Sequence, residues 1–216
     1  MFQHARLLTA TLLAAAGLIV APATANAGGP TCQDTYTFGA GGFEINAHGT
    51  GQSSTYIPAD QPVGYNSVDL VAGVAELDRL FHDYRNRCPG THLKMLGHSG
   101  GAAVVHMWVS QHTDEPNATA ILVSDPKRVA GPGSAGIAAN PLAIPADWIG
   151  IFRGAAGADA NFGAFPVLTI CNAGDWVCNE SAGLRGYLTT GVHGRYNLNP
   201  HAYPNYARGV WFPPVY

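Results

Sequence analysis

The stretch His92–Gly101 reads HLKMLGHSGG, and it decides the fold of this chain. Its first half is apolar enough for a buried strand, Gly97–Gly101 has the form G-x-S-x-G, and a helical run, AAVVHMWV, follows at once. Strand, sharp turn and helix in this order expose the central serine on a strained bend. The stretch therefore predicts a nucleophile at Ser99, with the amide of Gly100 facing developing negative charge at a helix N-terminus. A glycine-rich turn with an incidental serine is the alternative.

The amino-terminal 27 residues have the pattern of a signal peptide. Arg6 supplies a positive start, Leu7–Val20 is apolar, and Ala25–Ala27 has the small-x-small form of a cleavage site. We expect secretion and a single domain at residues 28–216, with an uncleaved anchor as the alternative. The apolar run is too short to span a bilayer comfortably, so we expect no stable membrane insertion.

Charge argues against a nucleic-acid partner. Residues 28–216 keep 10 of the 11 basic residues and all 14 acidic ones, so their formal net charge is −4 (10 − 14). The sequence has no basic patch or run of lysine and arginine, which nucleic-acid-binding domains usually carry.

Four cysteines in an exported chain favour two disulfides, and three pairings are possible. Cys171 and Cys178 are close in sequence and bracket a turn, which favours their pairing and would leave Cys32 with Cys88. The spacings C-x-x-C and H-E-x-x-H are absent, so we predict no metal site from these motifs.

Strands and helices alternate along the chain, which indicates an α/β fold with a mainly parallel sheet. Residues 129–164 form a long segment rich in glycine, alanine and proline, which is either functional or a plain surface excursion. Besides the strand before Gly97, the expected elements are strands at Thr35–Phe38, Thr119–Val123 and Pro166–Ile170, and helices at Val68–Arg87 (capped by Asn66 or Ser67) and Gly100–Gln111.

If Ser99 is the nucleophile of a serine hydrolase, the acid and the base of its triad are expected downstream of Ser99. Such an enzyme needs a base beside the hydroxyl and a carboxylate that fixes the imidazole tautomer. Asp175 lies between Cys171 and Cys178, where a disulfide would hold its carboxylate in place. His193 and His201 both follow it and satisfy the order Ser…Asp…His of α/β-hydrolases.

In these motifs the sequence resembles the cutinase family of serine esterases. The resemblance implies a three-layer α/β-hydrolase sandwich, a Ser99–His193–Asp175 triad that favours His193 over His201, and no metal or organic cofactor. It also implies a closing helix at Tyr203–Val210. The match is specific at four places: Cys32 with Cys88, Gly97–Gly101, the C-x-x-x-D-x-x-C loop Cys171–Cys178, and His193–Tyr196.

Two positions depart from the family pattern. The family usually has Gln after the nucleophile, where this chain has Gly100. Its oxyanion loop is usually Ala-Arg-Gly-Ser or Ala-Arg-Gly-Thr, where this chain has Gly39–Gly42. The backbone N–H of Gly42 can still serve as an oxyanion donor beside that of Gly100, but the hydroxyl is lost.

The expected function is that of a secreted, monomeric hydrolase of carboxylic esters, acting on lipid, polyester or cell-envelope esters through an acyl-enzyme. From composition we expect Trp148, Ile149 and Phe152 to line the acyl site. A weak or inactive lipid- or envelope-binding module on the same fold is the alternative, and an acyltransferase or peptidase with the same triad is a third possibility.

Overall fold

A parallel sheet of six strands organises the part of the chain that the computed structural model describes: residues 31–43, 55–139, 154, 157 and 161–215. The spatial order is β2-β1-β3-β4-β5-β6, and every neighbouring pair is parallel. The expected signal peptide lies outside these residues. The strands are β1 (Thr35–Ala40), β2 (Gln61–Pro62), β3 (His92–His98), β4 (Ala118–Val123), β5 (Val167–Ile170) and β6 (Gly209–Trp211).

The register brings the carboxyl ends of the central strands to one edge. Ala40 at the end of β1 is level with Gly97, His98 at the end of β3 is level with Val123, and Val123 is level with Ile170. Residues that follow these strands therefore leave the sheet side by side. In parallel α/β sheets this edge is where ligands bind.

Helices α1 (Leu70–Arg87) and α2 (Gly100–Gln111) pack on one face of the sheet, and α3 (Gly183–Thr190) follows β5. The buried rings of Phe81 on α1 and Trp108 on α2 lie 4.5 Å apart. Strand β3 alternates between faces, as a strand must: Met95 joins this helix-covered core, whereas Leu96 joins the core on the opposite face. The architecture confirms the predicted α/β class with a mainly parallel sheet.

The helix and strand boundaries agree with the sequence predictions at most places, with two corrections. The N-cap of α1 is Asp69, not Asn66 or Ser67, because the Asp69 carboxylate accepts the N–H of Ala72 over 3.1 Å. The closing helix at Tyr203–Val210 is wrong, since that segment contains a turn and the start of β6. Pro204 cannot donate a helical hydrogen bond, and β6 pairs with β5 instead.

Both predicted disulfides are confirmed. Cys32 and Cys88 join the approach to β1 to the end of α1, and Cys171 and Cys178 close the loop after β5. A buried lysine makes a further long-range link: Lys94 on β3 donates to the carbonyls of Pro200 and Tyr203. These bonds fix the segment that follows His193. None of the described helices is both long enough and apolar enough to span a membrane.

Candidate active site

Ser99 occupies a strained bend between β3 and α2. Its backbone has φ 57° and ψ −124°, a conformation that L-residues rarely adopt. Two glycines make the bend possible: a Cβ on Gly97 would lie 2.3 Å from the Gly101 carbonyl oxygen, and one on Gly101 would lie 1.8 Å from the Ala40 oxygen. The Ser99 side chain is partly exposed, and its N–H donates to the Val123 carbonyl. The geometry is that of the predicted nucleophile elbow.

Asp175 is fully buried at the same edge of the sheet, inside the loop closed by Cys171 and Cys178. Its Oδ2 accepts hydrogen bonds from the Ser124 hydroxyl at 2.6 Å and the Tyr196 hydroxyl at 2.8 Å, and its Oδ1 accepts the Val177 N–H at 3.1 Å. These donors fix the orientation of the carboxylate.

His193 is the histidine that contacts this carboxylate. Its Nδ1 lies 3.0 Å from Asp175 Oδ2 and 3.1 Å from Oδ1, so Nδ1–H donates and Nε2 keeps the lone pair. Its side chain is 16% exposed, which leaves the ring accessible from solvent. His201 lies elsewhere: its side chain is 52% exposed, and its Nε2 is 3.7 Å from Asp60.

The Ser99 hydroxyl forms no hydrogen bond with any residue that the structure describes, so Ser99 and His193 are not hydrogen-bonded to each other in this state. The neighbour of Ser99 in the chain nevertheless lies close to His193. The ring of His98, next to Ser99 in the chain, lies 4.7 Å from the ring of His193. Catalytic hydrogen bonds are often long without substrate and shorten in the Michaelis complex.

The pKa of Asp175 reflects this environment. Burial alone would raise the pKa of the Asp175 carboxyl. The net pKa is nevertheless lowered, because the hydrogen bond and positive charge of His193 outweigh burial, together with the hydrogen bonds from Ser124 and Tyr196. The carboxylate therefore stays ionised and able to stabilise an imidazolium. Burial, then the charge of Asp175, raises the pKa of Tyr196, which keeps that hydroxyl protonated as a donor.

Ser124 is a site residue that the sequence interpretation missed. It follows β4 directly, has φ 52°, and places its hydroxyl 3.0 Å from His193 Nδ1 while donating to Asp175. The available signal was its position: a polar residue directly after a buried strand, beside the strand that ends at Ser99.

His98 carries a chain of hydrogen bonds across the site. Its Nε2–H donates to the carbonyl of His193 at 3.0 Å, and its Nδ1 accepts the hydroxyl of Tyr56 at 2.7 Å. The Tyr56 oxygen in turn accepts the N–H of Gly42 at 2.8 Å. Burial, followed by the charge of His193, lowers the pKa of His98 to about 4, so its ring is neutral. Both ring nitrogens of His98 are thus engaged with Tyr56 and His193, not with Ser99.

This chain of bonds bears on the oxyanion donors expected at Gly42 and Gly100. The Gly42 N–H is not free, because it already donates to Tyr56. The loop does lie against the elbow: a Cβ on Gly42 would be 2.7 Å from both the Gly100 nitrogen and the Ser99 Cβ. This backbone therefore requires glycine where the family usually has Ser or Thr. The Gly100 N–H forms no hydrogen bond with the described residues.

Comparison with known proteins identifies the family. The family model for cutinases matches residues 11–200. The chain belongs to the cutinase family. Among solved structures, a cutinase-like protein from Cryptococcus sp. is similar in fold, with a TM-score of 0.52 and 15% identity over 77% of this chain and 90% of that one.

A YdeN-like hydrolase of Pectobacterium atrosepticum is also similar, with a TM-score of 0.43 and 15% identity over 85% of this chain and 77% of that one. Among curated protein sequences, none matches this chain significantly.

A second buried histidine–carboxylate pair joins α2 to the residue that follows Ser124. His106 on α2 and Asp125 after β4 are 2.6 Å apart and almost fully buried, beside a cavity of about 250 Å³. Neither Ser99, Asp175 nor His193 lines this cavity. Trp148, Ile149 and Phe152, which composition predicts to line the acyl site, lie outside the described residues.

Proposed function

We propose that this protein is a secreted serine hydrolase of carboxylic esters, with Ser99 as nucleophile, His193 as base and Asp175 as the orienting acid. The observation that carries the proposal is the Asp175–His193 hydrogen bond of 3.0 Å at the sheet edge that holds the strained Ser99. Membership of the cutinase family supports ester hydrolysis as the reaction class. The two disulfides are consistent with an extracellular protein.

In the first half of the reaction, the Ser99 oxygen forms a bond to the acyl carbon as its proton passes to Nε2 of His193. Asp175 stabilises the resulting imidazolium through Nδ1–H. When the tetrahedral intermediate collapses, the bond to the alcohol oxygen breaks and His193 returns the proton to that oxygen. The acyl group remains on Ser99 as an ester.

In the second half, water attacks the acyl carbon while His193 takes one of its protons, and Ser99 leaves with the proton that His193 returns. The oxyanion of both intermediates lies at the N-terminus of α2, where the Gly100 N–H is oriented toward it. Gly42 contributes a second donor when its N–H turns from Tyr56 to the oxyanion.

The test is hydrolysis of a short p-nitrophenyl ester by the wild type and by Ser99→Ala. Ser99→Ala removes the nucleophile without adding bulk to the bend, and we expect turnover to fall by about 10⁴-fold or more with the melting temperature preserved. Ser110→Ala on the same helix is the matched control and keeps full activity. Retained activity in Ser99→Ala would contradict the proposal.

The base is tested by a pair of histidine variants. His193→Ala should lose turnover nearly completely, because His193 contacts Asp175. His201→Ala should keep it, because His201 lies beside Asp60 on the exposed surface. The opposite ranking would assign the base to His201.

A catalytically weak lipid- or envelope-binding module is the second candidate, and one observation favours it. The Gly42 amide is already bonded to Tyr56, so only the Gly100 donor is available without rearrangement. Losing one oxyanion donor typically lowers kcat by about 10²–10³. A serine-directed fluorophosphonate separates the two, since covalent labelling at Ser99, located by peptide mass spectrometry, requires an activated nucleophile. Vesicle binding without labelling would favour the module.

Product analysis assigns the acyl length and the acceptor. A series of p-nitrophenyl esters from acetate to long acyl chains, together with a polyester film and glycolipid esters, reports the substrate class. Adding a primary alcohol during turnover reports transfer, because an acyltransferase forms the new ester in competition with the free acid.

A further inference from the structure

Three side chains with metal-binding atoms meet on the helix-covered side of the sheet. Asp78 and His82 are four residues apart on α1 and therefore share one face of that helix. His112 follows α2 directly as its C-cap residue. One ligand atom from each of the three lies within 4.8 Å of the others. We call this set the Asp78 cluster.

The two distances from Asp78 to the histidines match those between ligands of one ion. Asp78 Oδ1 lies 3.3 Å from His82 Nε2 and 3.1 Å from His112 Nε2. In a tetrahedral zinc site with bonds of about 2.0–2.1 Å, neighbouring ligand atoms are about 3.3–3.4 Å apart. No rearrangement beyond a few tenths of an ångström is needed around Asp78.

The orientation of the His112 ring is consistent with the same site. Its Nδ1 lies 2.8 Å from the carbonyl oxygen of Trp108, which can only accept, so Nδ1 carries the proton. Nε2 then faces Asp78 Oδ1 at 3.1 Å, so the two atoms can share one cation, either a metal ion or a proton carried on Nε2. Metal-bound histidines are oriented in the same way, by donating the other N–H to a carbonyl.

Trp108 holds two of these side chains in position. Its indole N–H donates to Asp78 Oδ1 at 3.1 Å, and its ring stacks on His112 with centroids 4.1 Å apart and planes 12° apart. Trp108 itself is fully buried. The cluster therefore rests on a rigid support and is open to solvent on its outer side, where the side chains of Asp78 and His82 are 41% and 47% exposed.

We propose that Asp78, His82 and His112 bind one zinc-class divalent cation, with water in the remaining position. Two imidazole nitrogens and one carboxylate oxygen are a ligand set that zinc prefers. His112 is 13 residues beyond Ser99, at the far end of α2 and so about 20 Å away. The ion would join α1 to the end of α2, and it would stabilise the folded state because an unfolded chain lacks the site.

The experiment is calorimetric titration of zinc chloride into the untagged, chelator-treated protein, with thermal unfolding in parallel. The wild type should bind one ion, and its melting temperature should rise by several degrees. His82→Ala removes an exposed ligand with little risk to folding, and Asp78→Asn removes the shared charge. Both should weaken binding by more than tenfold and lose the thermal shift. His201→Ala, an exposed histidine beside Asp60, is the matched control and should keep both.

Cobalt gives a second readout, because tetrahedral Co²⁺ absorbs visibly when bound and the absorbance should be absent from His82→Ala. Zinc binding that is unchanged in both His82→Ala and Asp78→Asn would overturn the proposal, as would the absence of any binding to the wild type. Ester hydrolysis by His82→Ala should equal that of the wild type, so the proposal stands or falls independently of the proposed function.

Discussion

The N–H of Gly42 donates to the hydroxyl of Tyr56 over 2.8 Å, within a loop that lies against the nucleophile elbow. The Tyr56 hydroxyl donates to Nδ1 of His98, and Nε2–H of His98 donates to the carbonyl of His193. One hydrogen-bonded chain thus connects the oxyanion loop, the elbow and the loop that carries the base. Members of such chains polarise one another, so their effects on activity are expected to be coupled.

Tyr56→Phe tests this chain. Removing the hydroxyl leaves Nδ1 of the buried His98 without a donor and releases the oxyanion loop, so we expect a loss of about 1–3 kcal/mol in the free energy of unfolding. We also expect kcat to fall about tenfold with KM nearly unchanged, measured with a p-nitrophenyl ester. An increase in kcat would contradict this expectation and show that freeing the Gly42 amide from Tyr56 outweighs the loss of order in the loop.

Ser124→Ala tests whether the Ser124 hydroxyl positions Asp175 and His193. The variant removes a donor to Asp175 and the oxygen beside His193 Nδ1, so the imidazole is held less well in its working orientation. We expect kcat and the rate of fluorophosphonate labelling at Ser99 to fall together, by about 3–10-fold, with KM unchanged. Ser110→Ala, whose hydroxyl donates to the carbonyl of His106, is the control. Equal kinetics in Ser124→Ala and Ser110→Ala would show that Ser124 does not position the triad.

The depressed pKa of His98 predicts a pH-dependent stability. The folded-state pKa is about 4, because of burial and then the charge of His193, whereas an unfolded histidine titrates near about 6.5. Between these values the unfolded chain binds more protons, so the stability from this group is complete above about pH 6.5 and is lost as pH falls toward 4. The loss approaches about 3 kcal/mol at about pH 4.

Urea unfolding between pH 4 and pH 7 measures this slope. His98→Asn keeps an acceptor near the position of Nδ1 but does not titrate, so its free energy of unfolding should change less over the same range. If the wild type and His98→Asn have parallel curves, another group is responsible for the acid sensitivity.

The elements that could be predicted from sequence are those with strong local patterns. The strand, bend and helix around Ser99 follow from residue periodicity and glycine placement, and the helix at Gly100–Gln111 has the predicted ends. The pairing of Cys171 with Cys178 follows from their short separation. The candidates Asp175 and His193 follow from chain order and from the family resemblance.

What could not be predicted depends on contacts between distant residues. The role of Ser124 requires knowing that β4 lies beside both β3 and β5, and the bond between Gly42 and Tyr56 depends on how a loop folds back. The closing helix at Tyr203–Val210 came from the family resemblance, and the pairing of Gly209–Trp211 with β5, which makes it a strand, has no local signal. The N-cap at Asp69 was misplaced because several polar residues compete there.

The two disulfides allow stability and catalysis to be separated. The Cys171–Cys178 bridge closes a loop with a sequence separation of 7 around Asp175, whereas the Cys32–Cys88 bridge has a separation of 56 and lies away from the triad. By chain entropy, removing the first should cost about 2.5 kcal/mol and removing the second about 4 kcal/mol. Loop length alone therefore makes the second loss the larger one.

The effects on turnover should have the opposite order. Without the short bridge the Asp175 carboxylate is held only by hydrogen bonds, so the Cys171→Ala/Cys178→Ala variant should lose kcat by about tenfold or more. The Cys32→Ala/Cys88→Ala variant should keep the kcat of its folded fraction, because that bridge touches none of the triad residues. Urea unfolding and ester hydrolysis on the same two proteins measure both quantities. If kcat falls in proportion to stability in both variants, the short bridge has no separate part in holding the acid.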